Sequence, residues 1–338
     1  MKIGLIDRDK TNFPNLALMK ISAYHKRLGD DVSWYAWYNG HYDKVYVSKV
    51  FGDEYNEEDL TAIQADEIVY GGSGYAIKIE NGKEIYKKEL DKDLPYEIEH
   101  IYPDYSIYPE LTKDTAYGFL TRGCPRSCHF CIVSGKEGRA SKKVADLSEF
   151  WNGEKNIKLL DANILASKDH LDLLNQLAKS GASVDFTQGI DARLITEKNI
   201  KALLDVKVSG MHFAFDYIEN EKAILKGLKI YADNVELKNK PDSYKAVYIL
   251  TNYNTTFEQD WYRVQKVREL GFSPYVMIYR KQTAPKITRY LQRWCNNRKL
   301  YNATDFMDFV PTTKGKSIKE TLSVLDYKIL KEKGYERV

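Results

Sequence analysis

Thr121-Arg122-Gly123-Cys124-Pro125-Arg126-Ser127-Cys128-His129-Phe130-Cys131 holds three of the four cysteines of this 338-residue chain, in a Cys-x3-Cys-x2-Cys array with a glycine before it and an aromatic inside it. Three thiolates so close together can bind three irons of a 4Fe-4S cluster from one loop and leave the fourth iron open to a small molecule. Zinc is the competing reading, but a closed zinc site needs four ligands, usually on paired arms; here His129 lies between two cysteines and no second pair follows. A disulfide framework fits less well, because four cysteines cannot staple a chain of this length and the triplet leaves one over.

The array resembles that of the radical S-adenosylmethionine superfamily, whose members place an aromatic before the third cysteine; Cys124, Cys128, Phe130 and Cys131 occupy the matching positions. The resemblance implies that the open iron chelates the amino and carboxylate groups of S-adenosylmethionine. An electron from the cluster, supplied by an external flavodoxin- or ferredoxin-type reductant, then cleaves it to methionine and a 5′-deoxyadenosyl radical, which removes hydrogen from a substrate. The protein's own tasks are ligation, orientation and exclusion of water and oxygen.

Working outward, 43% hydrophobic and 29% charged residues allow a sizeable core in one large domain or two. No run of eighteen apolar residues exists, and Met1-Lys2-Ile3-Gly4-Leu5-Ile6-Asp7 reads as a first strand rather than a signal peptide. A cytoplasmic protein with no membrane partner is the expectation, in a compartment where thiols stay reduced. The net charge of +3 points to no partner by itself.

The pattern predicts an α/β chain. Over residues 1–105, strands at Lys2–Asp7, Asp31–Trp37, Val45–Val47 and Glu67–Tyr70, with a helix at Leu16–Leu28, predict an open parallel-sheet, Rossmann-like domain. Gly71-Gly72-Ser73-Gly74 follows the last strand as either a tight turn or a ligand loop. This region resembles the cobalamin-binding-type domain of one superfamily branch through its strand pattern, the stretch Pro14–Leu18 and the glycine turn. The Asp-x-His-x-x-Gly motif of that family is absent, since neither His25 nor His41 has the required neighbours, so cobalamin is not expected. Tyr96–Leu111 reads as a linker.

Over residues 106–284, strands at Tyr117–Thr121, Ile157–Asp161, Val184–Thr187, His212–Asp216, Ala246–Thr251 and Tyr275–Tyr279 alternate with helices at Leu147–Trp151, Lys168–Ser180, Glu197–Asp205, Glu219–Lys226 and Phe257–Leu270. A sixth helix, Pro285–Cys295, opens a basic helical extension over residues 285–338. Six strand–helix units with the cysteine loop after the first are what a partial (β/α)6 TIM-type barrel requires, with functional groups at the strands' C-terminal ends.

Those ends are polar: Asp161 and Asn163, then Gln188, Asp191 and Arg193, then Asp216, then Asn252. The resemblance implies that side chains there hold S-adenosylmethionine, with Arg193 on its carboxylate, Asp161 or Asn163 on its amino group and Asp216 on a ribose hydroxyl. The plain alternative is that Asp and Asn cap helices at such turns, or that Asp191 and Arg193 form an internal ion pair. No Gly-Gly-Glu sequence follows the second strand, as it does in many superfamily members.

Between Glu269 and Asp305 no acidic residue occurs, while Arg280, Lys281, Lys286, Arg289, Arg293, Arg298 and Lys299 fall inside. Helical spacing puts Lys286, Arg289 and Arg293 on one face and Ile287, Tyr290, Leu291 and Trp294 on the other. Tyr279, Tyr290, Trp294 and Tyr301 interleave with the charges, a mixture that suits phosphates and stacked bases or is only solvated surface. Cys295 is a packed thiol or a hydrogen-atom donor. The leading function is a radical enzyme acting on nucleic acid or another phosphorylated substrate. The alternatives are the same chemistry on a peptide or small metabolite, and a non-catalytic iron-sulfur sensor or nucleic-acid-binding protein.

Overall fold

The computed structural model describes residues 1–9, 11–52, 62–80, 83–312 and 315–322. The chain divides into two compact units, Met1–Gln188 with Asp205–Lys207, and Gly189–Leu204 with Val208–Val338. It is α/β, as the sequence pattern predicts, and its main sheets are parallel. Among the described residues no helix is long and apolar enough to cross a membrane.

In the first unit, β1 (Lys2–Asp7), β2 (Asp31–Trp34), β3 (Tyr42–Ser48) and β4 (Ala65–Gly71) form an open parallel sheet in the order β2-β1-β3-β4. Parallel neighbours need a crossover, and α1 (Leu16–Arg27) supplies the one from β1 to β2. Asn15 caps it by accepting the Leu18 N–H at 3.2 Å, and His25, Lys26 and Arg27 occupy the last turn, where the helix dipole favours cations. Leu18 and Ile21 pack on Ile3 and Leu5.

The strand order reverses between β1 and β3, the place where such sheets open a ligand crevice. Here the chain's own groups bond one another. Asp9 accepts the N–H groups of Val50 and Phe51 at 2.8 and 3.0 Å, Asn15 Nδ2 donates to Ser48 Oγ at 2.8 Å, and the Tyr108 hydroxyl donates to Asp7. The glycine turn after β4 has a packing reason. A Cβ on Gly72 would stand 2.3 Å from the Lys49 carbonyl oxygen, and one on Gly74 the same distance from that of Phe51. His25 is engaged at both nitrogens, by Asp30 at 2.6 Å and the Tyr46 hydroxyl at 2.9 Å, and His41 by Asp66 at 2.8 Å.

An antiparallel pair, β5 (Ile77–Glu80) and β6 (Lys83–Tyr86), leads to the short helices α2 (Tyr96–Glu99) and α3 (Pro109–Thr112). This stretch, expected as a linker, is docked: Ile98 is buried among Ile3, Leu5 and Leu18, and the Asp104 N–H donates to Met19 O at 3.0 Å. Then follow β7 (Thr115–Gly118), β8 (Thr121–Arg122), α4 (Val133–Lys136), β9 (Lys142–Lys143), β10 (Asn156–Leu159), α5 (His170–Ser180) and β11 (Ser183–Phe186), with β10 parallel to both β7 and β11. The strand expected over Tyr117–Thr121 breaks after Gly118, where a Cβ would lie 2.3 Å from the Phe150 ring. Only a 3₁₀ turn, Leu147–Glu149, replaces the helix expected at Leu147–Trp151, closed by an Asp146–Glu149 capping box.

Next along the chain come α6 (Ile200–Asp205), β12 (Val208–Gly210), β13 (His212–Ala214), α7 (Glu221–Asn234), β14 (Ala246–Thr251), α8 (Phe257–Glu269), β15 (Ser273–Ile278), α9 (Lys286–Asn296), α10 (Arg298–Ala303) and α11 (Ile318–Thr321). In the second unit β13, β14 and β15 make a parallel sheet in that order. Residues 313–314 and 323–338 of the expected basic extension lie outside the described residues. Pro285 is the cap of α9 rather than its first helical residue, and α7 runs well past the expected Lys226 because Ile224, Leu228 and Tyr231 continue its buried stripe.

α8 starts at a Thr256–Gln259 capping box and is bolted to the sheet by a fully buried arginine. Arg263 donates to the carbonyls of Phe215, Asp216 and Leu250 at 2.6, 2.8 and 2.8 Å and to the Asp260 carboxylate at 2.6 Å. Beyond it, Trp261, Trp294, Tyr301 and Phe306 form an aromatic core, with Trp261 and Phe306 centroids 5.0 Å apart. At the outer strand β15, Asn296 accepts the Val276 N–H at 2.8 Å and donates to Val276 O at 2.9 Å, and Gln292 donates to the same oxygen at 3.1 Å.

Gly227 of α7 faces the turn Ala192–Leu194, and a Cβ on it would stand 1.7 Å from the Ala192 carbonyl oxygen. Helix propensity alone would make Gly227→Ala stabilising by about 1 kcal/mol; the backbone contact reverses the sign. The expected net loss is about 1–3 kcal/mol, as for other overpacked sites, read as a lower urea midpoint. An unchanged midpoint would mean that the Ala192–Leu194 turn shifts freely.

Candidate functional site

The cysteine loop leaves β8 and returns through β9. These strands pair antiparallel, Thr121 with Lys143 and Arg122 with Lys142, and so close the base of the loop. Gly123 is the first residue after β8, at φ +93°, and a Cβ there would lie 2.2 Å from the Ala140 carbonyl oxygen. Both the left-handed backbone and the close approach demand glycine. Its N–H donates to Glu137 at 3.1 Å and the Cys124 N–H to Gly138 O at 3.1 Å. Ser127 also takes a left-handed φ of 48°, and the Cys131 N–H donates to Cys128 O at 2.9 Å, which turns the segment between the second and third cysteines. No cysteine is in a disulfide; Cys124 and Cys128 are half-buried and Cys131 is exposed.

Two residues after β10 hold this loop. Asp161, 4% exposed, accepts the N–H groups of Leu120 and Thr121 at 2.8 and 2.6 Å and the Thr121 hydroxyl. Burial pushes its carboxyl from 3.8 up to about 7, against the pull of those three donors. Its position in the chemistry is therefore behind the loop, fixing where β8 begins. Asn163, also 4% exposed, donates from Nδ2 to Cys124 Sγ at 3.6 Å. An N–H aimed at a cysteine sulfur stabilises negative charge there, as hydrogen bonds to cluster sulfurs do.

Among the described residues no three His, Cys, Asp or Glu side chains gather around one point that could hold a metal ion. A 4Fe-4S cluster makes a different demand, one thiolate on each of three irons, and this loop meets it in donor number and softness.

In the second unit Arg193 is bound through its fork by Asp191, Nε to Oδ1 at 2.7 Å and Nη2 to Oδ2 at 3.1 Å. Asp216 accepts the Leu250 N–H at 3.0 Å, and burial raises its pKa while Leu250, Arg263 and Arg193 oppose the rise. Asn252 sits at a left-handed φ of 60°, a conformation asparagine tolerates, and donates to Tyr279 O at 2.8 Å, tying the end of β14 to that of β15. Gln188, the last residue before the second unit, is exposed. Cys295 is a packed thiol, fully buried, its Sγ 3.3 Å from Pro274 O and its pKa pushed by burial up to about 12. A thiol so enclosed has no surface to offer a substrate as hydrogen donor.

Lys286, Arg289 and Arg293 are exposed and share one face of α9, with Lys281 of the preceding turn beside them. The aromatics expected among these charges are placed otherwise. Trp294 and Tyr301 are core, Tyr290 is half-buried beside the cations rather than on the buried face, and the ring that joins it there is Tyr275 of β15. Arg263 was also missed; its signal is an arginine on the apolar face of α8, between Trp261, Val264 and Val267, with Asp260 one turn before it.

No family model matches the chain. A stretch of 60 residues is 42% identical to an uncharacterized protein of Methanocaldococcus jannaschii, and the match covers 14% of this chain and 13% of that protein.

Asp161 yields a pH signature. The folded protein keeps the proton to about pH 7, whereas the unfolded chain releases it near 3.8. Between those values the native state binds more protons, so the carboxyl's contribution to stability falls as pH rises and levels off above about 7. Urea unfolding of the parent and of Asp161→Asn, which cannot titrate, should give a stability difference, parent minus variant, that slopes downward across that window. A flat difference would mean that the three donors keep the carboxylate ionised throughout.

Proposed function

We propose that this chain is a radical S-adenosylmethionine enzyme in which Cys124, Cys128 and Cys131 each ligate one iron of a 4Fe-4S cluster. The observation that carries this reading is the loop itself: a segment closed at its base by the antiparallel pair β8–β9, with three thiols and an amide N–H, from Asn163, on the first sulfur. When bound, the cluster and S-adenosylmethionine supply a 5′-deoxyadenosyl radical at the cost of one electron from an external flavodoxin- or ferredoxin-type reductant.

The chain's own residues then bind and orient. Asn163 steadies the charge on the Cys124 thiolate, and Asp161 holds Leu120 and Thr121 so that Gly123 and Cys124 leave the strand in one direction. The Arg193 guanidinium suits a carboxylate, and its pairing with Asp191 fixes the plane of the fork. Asp216 and Asn252 follow strand ends, as do Asp161, Asn163, Gln188, Asp191 and Arg193. The alternation of strands and helices from β7 to α9, with its main strands in separate parallel sheets, supports the reading as a partial (β/α)6 barrel, in which functional groups collect at those ends.

Anaerobic reconstitution with iron and sulfide should load the parent and Cys295→Ala alike, and should fail for Cys124→Ala, Cys128→Ala and Cys131→Ala. Unchanged iron in Cys128→Ala, or zinc in place of iron and sulfide, would sink the assignment. The reduced parent should release 5′-deoxyadenosine from S-adenosylmethionine, and a loaded, reduced protein that releases none is a sensor rather than an enzyme.

Asn163→Ala should keep the cluster but lower its reduction potential, because the lost N–H no longer stabilises the more negative reduced state. A redox titration with unchanged midpoint would remove Asn163 from the site.

A further inference from the structure

Along α9 an open groove of about 780 Å³ is lined by Lys281, Lys286, Arg289 and Arg293 with the rings of Tyr275 and Tyr290, and among the described residues no acidic side chain lines it. Four exposed cations would ordinarily find carboxylates. Arg298, just beyond α9, does so, pairing with Asp242 at 2.7 Å. None of the four groove cations pairs with a carboxylate among the described residues; Arg293 donates only to the Pro311 carbonyl.

For two of them, the place on the helix adds a cost. Lys286 opens α9 and Arg289 follows within its first turn, where the helix dipole already puts positive charge, and neither an acidic residue nor a side-chain cap offsets it. Arg293, in the last turn, gains from the dipole; Lys286 and Arg289 stand at the opposite end, where a bound anion would turn repulsion into attraction.

The anion must also account for Tyr275. Its ring is 44% exposed on the outer strand yet held from behind: Tyr248 lies 5.0 Å away, and His212 stacks on Tyr248 at 4.3 Å with an interplanar angle of 18°. Groove and ring are fixed to each other, because Gln292 and Asn296 of α9 bond to the backbone of Val276, the residue next to Tyr275. A preset row of cations beside a braced, exposed ring matches phosphates alternating with a stackable base. A duplex buries its base faces, and inorganic phosphate or an acidic peptide needs no ring.

We propose that this groove holds a segment of single-stranded nucleic acid, with phosphates on Lys281, Lys286, Arg289 and Arg293 and a base stacked on Tyr275. The inference rests on the radical-enzyme reading only in making that strand the substrate; the binding itself needs no cluster.

The test is fluorescence anisotropy of a labelled mixed-sequence single-stranded oligonucleotide with the full chain, over a range of salt. Affinity should fall linearly on a log–log plot, and changing all four cations to glutamine should flatten the slope by about three, at roughly 0.7 per phosphate. Tyr275→Ala should weaken binding about 5- to 100-fold with the slope unchanged, as loss of one stacked base predicts, and Tyr275→Phe should bind like the parent. No binding by the parent at low salt, equal affinity for duplex or for polyglutamate of matched charge, or no effect of Tyr275→Ala would each overturn the proposal. Should the fourfold variant fail to fold, the Tyr275 pair still decides. Release of 5′-deoxyadenosine, assayed on the same preparations, separates the two readings. Cleavage without oligonucleotide binding overturns the groove and leaves the enzyme, and binding without cleavage leaves the groove but removes the strand's role as substrate.

Discussion

Parallel strands that stop short of a neighbour leave backbone groups without a ladder partner, and the structure depends on how two buried ionisable side chains take them up. In the first unit the Asp161 carboxylate receives the N–H groups of Leu120 and Thr121; in the second the Arg263 guanidinium feeds the carbonyls of Phe215, Asp216 and Leu250. The two solutions are opposite in hydrogen-bonding sense, one an acceptor and the other a donor. Each puts an ionisable group where water is excluded, and each is tolerable because several hydrogen bonds, and for Arg263 the Asp260 carboxylate, replace hydration. Breaking either would leave several orphaned groups at once.

The residues nominated for cofactor contact are therefore also the residues that shape their own surroundings. Asp161 fixes a strand start, Asn252 ties two strand ends, and Asp216 pins Leu250 while Asp191 orients Arg193. A polar side chain at a strand's C-terminal end has backbone donors and acceptors within reach before any ligand arrives, and pre-bonded groups present their remaining lone pairs and protons in a defined direction. Glycine plays the same part for the main chain. Gly123 lets the cysteine loop pass the Ala140 carbonyl, and Gly227 lets the turn that carries Arg193 rest on α7.

What could be read from the sequence follows from how local the determinants are. β14 was legible residue for residue, since Ala246–Thr251 alternates between two faces, and α8 and α9 were legible to within a residue or two from their periodicity and caps. The open parallel sheet of the first unit was legible from the spacing of its apolar runs. The end of β7 was not, because the ring packed against Gly118 there, Phe150, lies more than thirty positions away in sequence. Spacing set Trp294 on the face opposite the cations, but it could not tell that Tyr301 turns inward, since the ring it packs on, Trp294, lies on another helix. Tyr275 is the converse case: a tyrosine in a strand reads as packing, yet this one stands exposed on β15, the outer strand of its sheet among the described residues.

That outer strand carries a mechanical consequence. Asn296 and Gln292 hold the Val276 backbone from the side, doing in miniature what a further strand would do, and so they bar another chain from extending the sheet at that residue. Both amides belong to the helix that bears the cations. A pull on α9 along the groove is therefore a pull on three hydrogen bonds at the sheet's rim, so that the rim acts as a latch: it stays shut while α9 is seated and opens a sticky edge when α9 is dragged away.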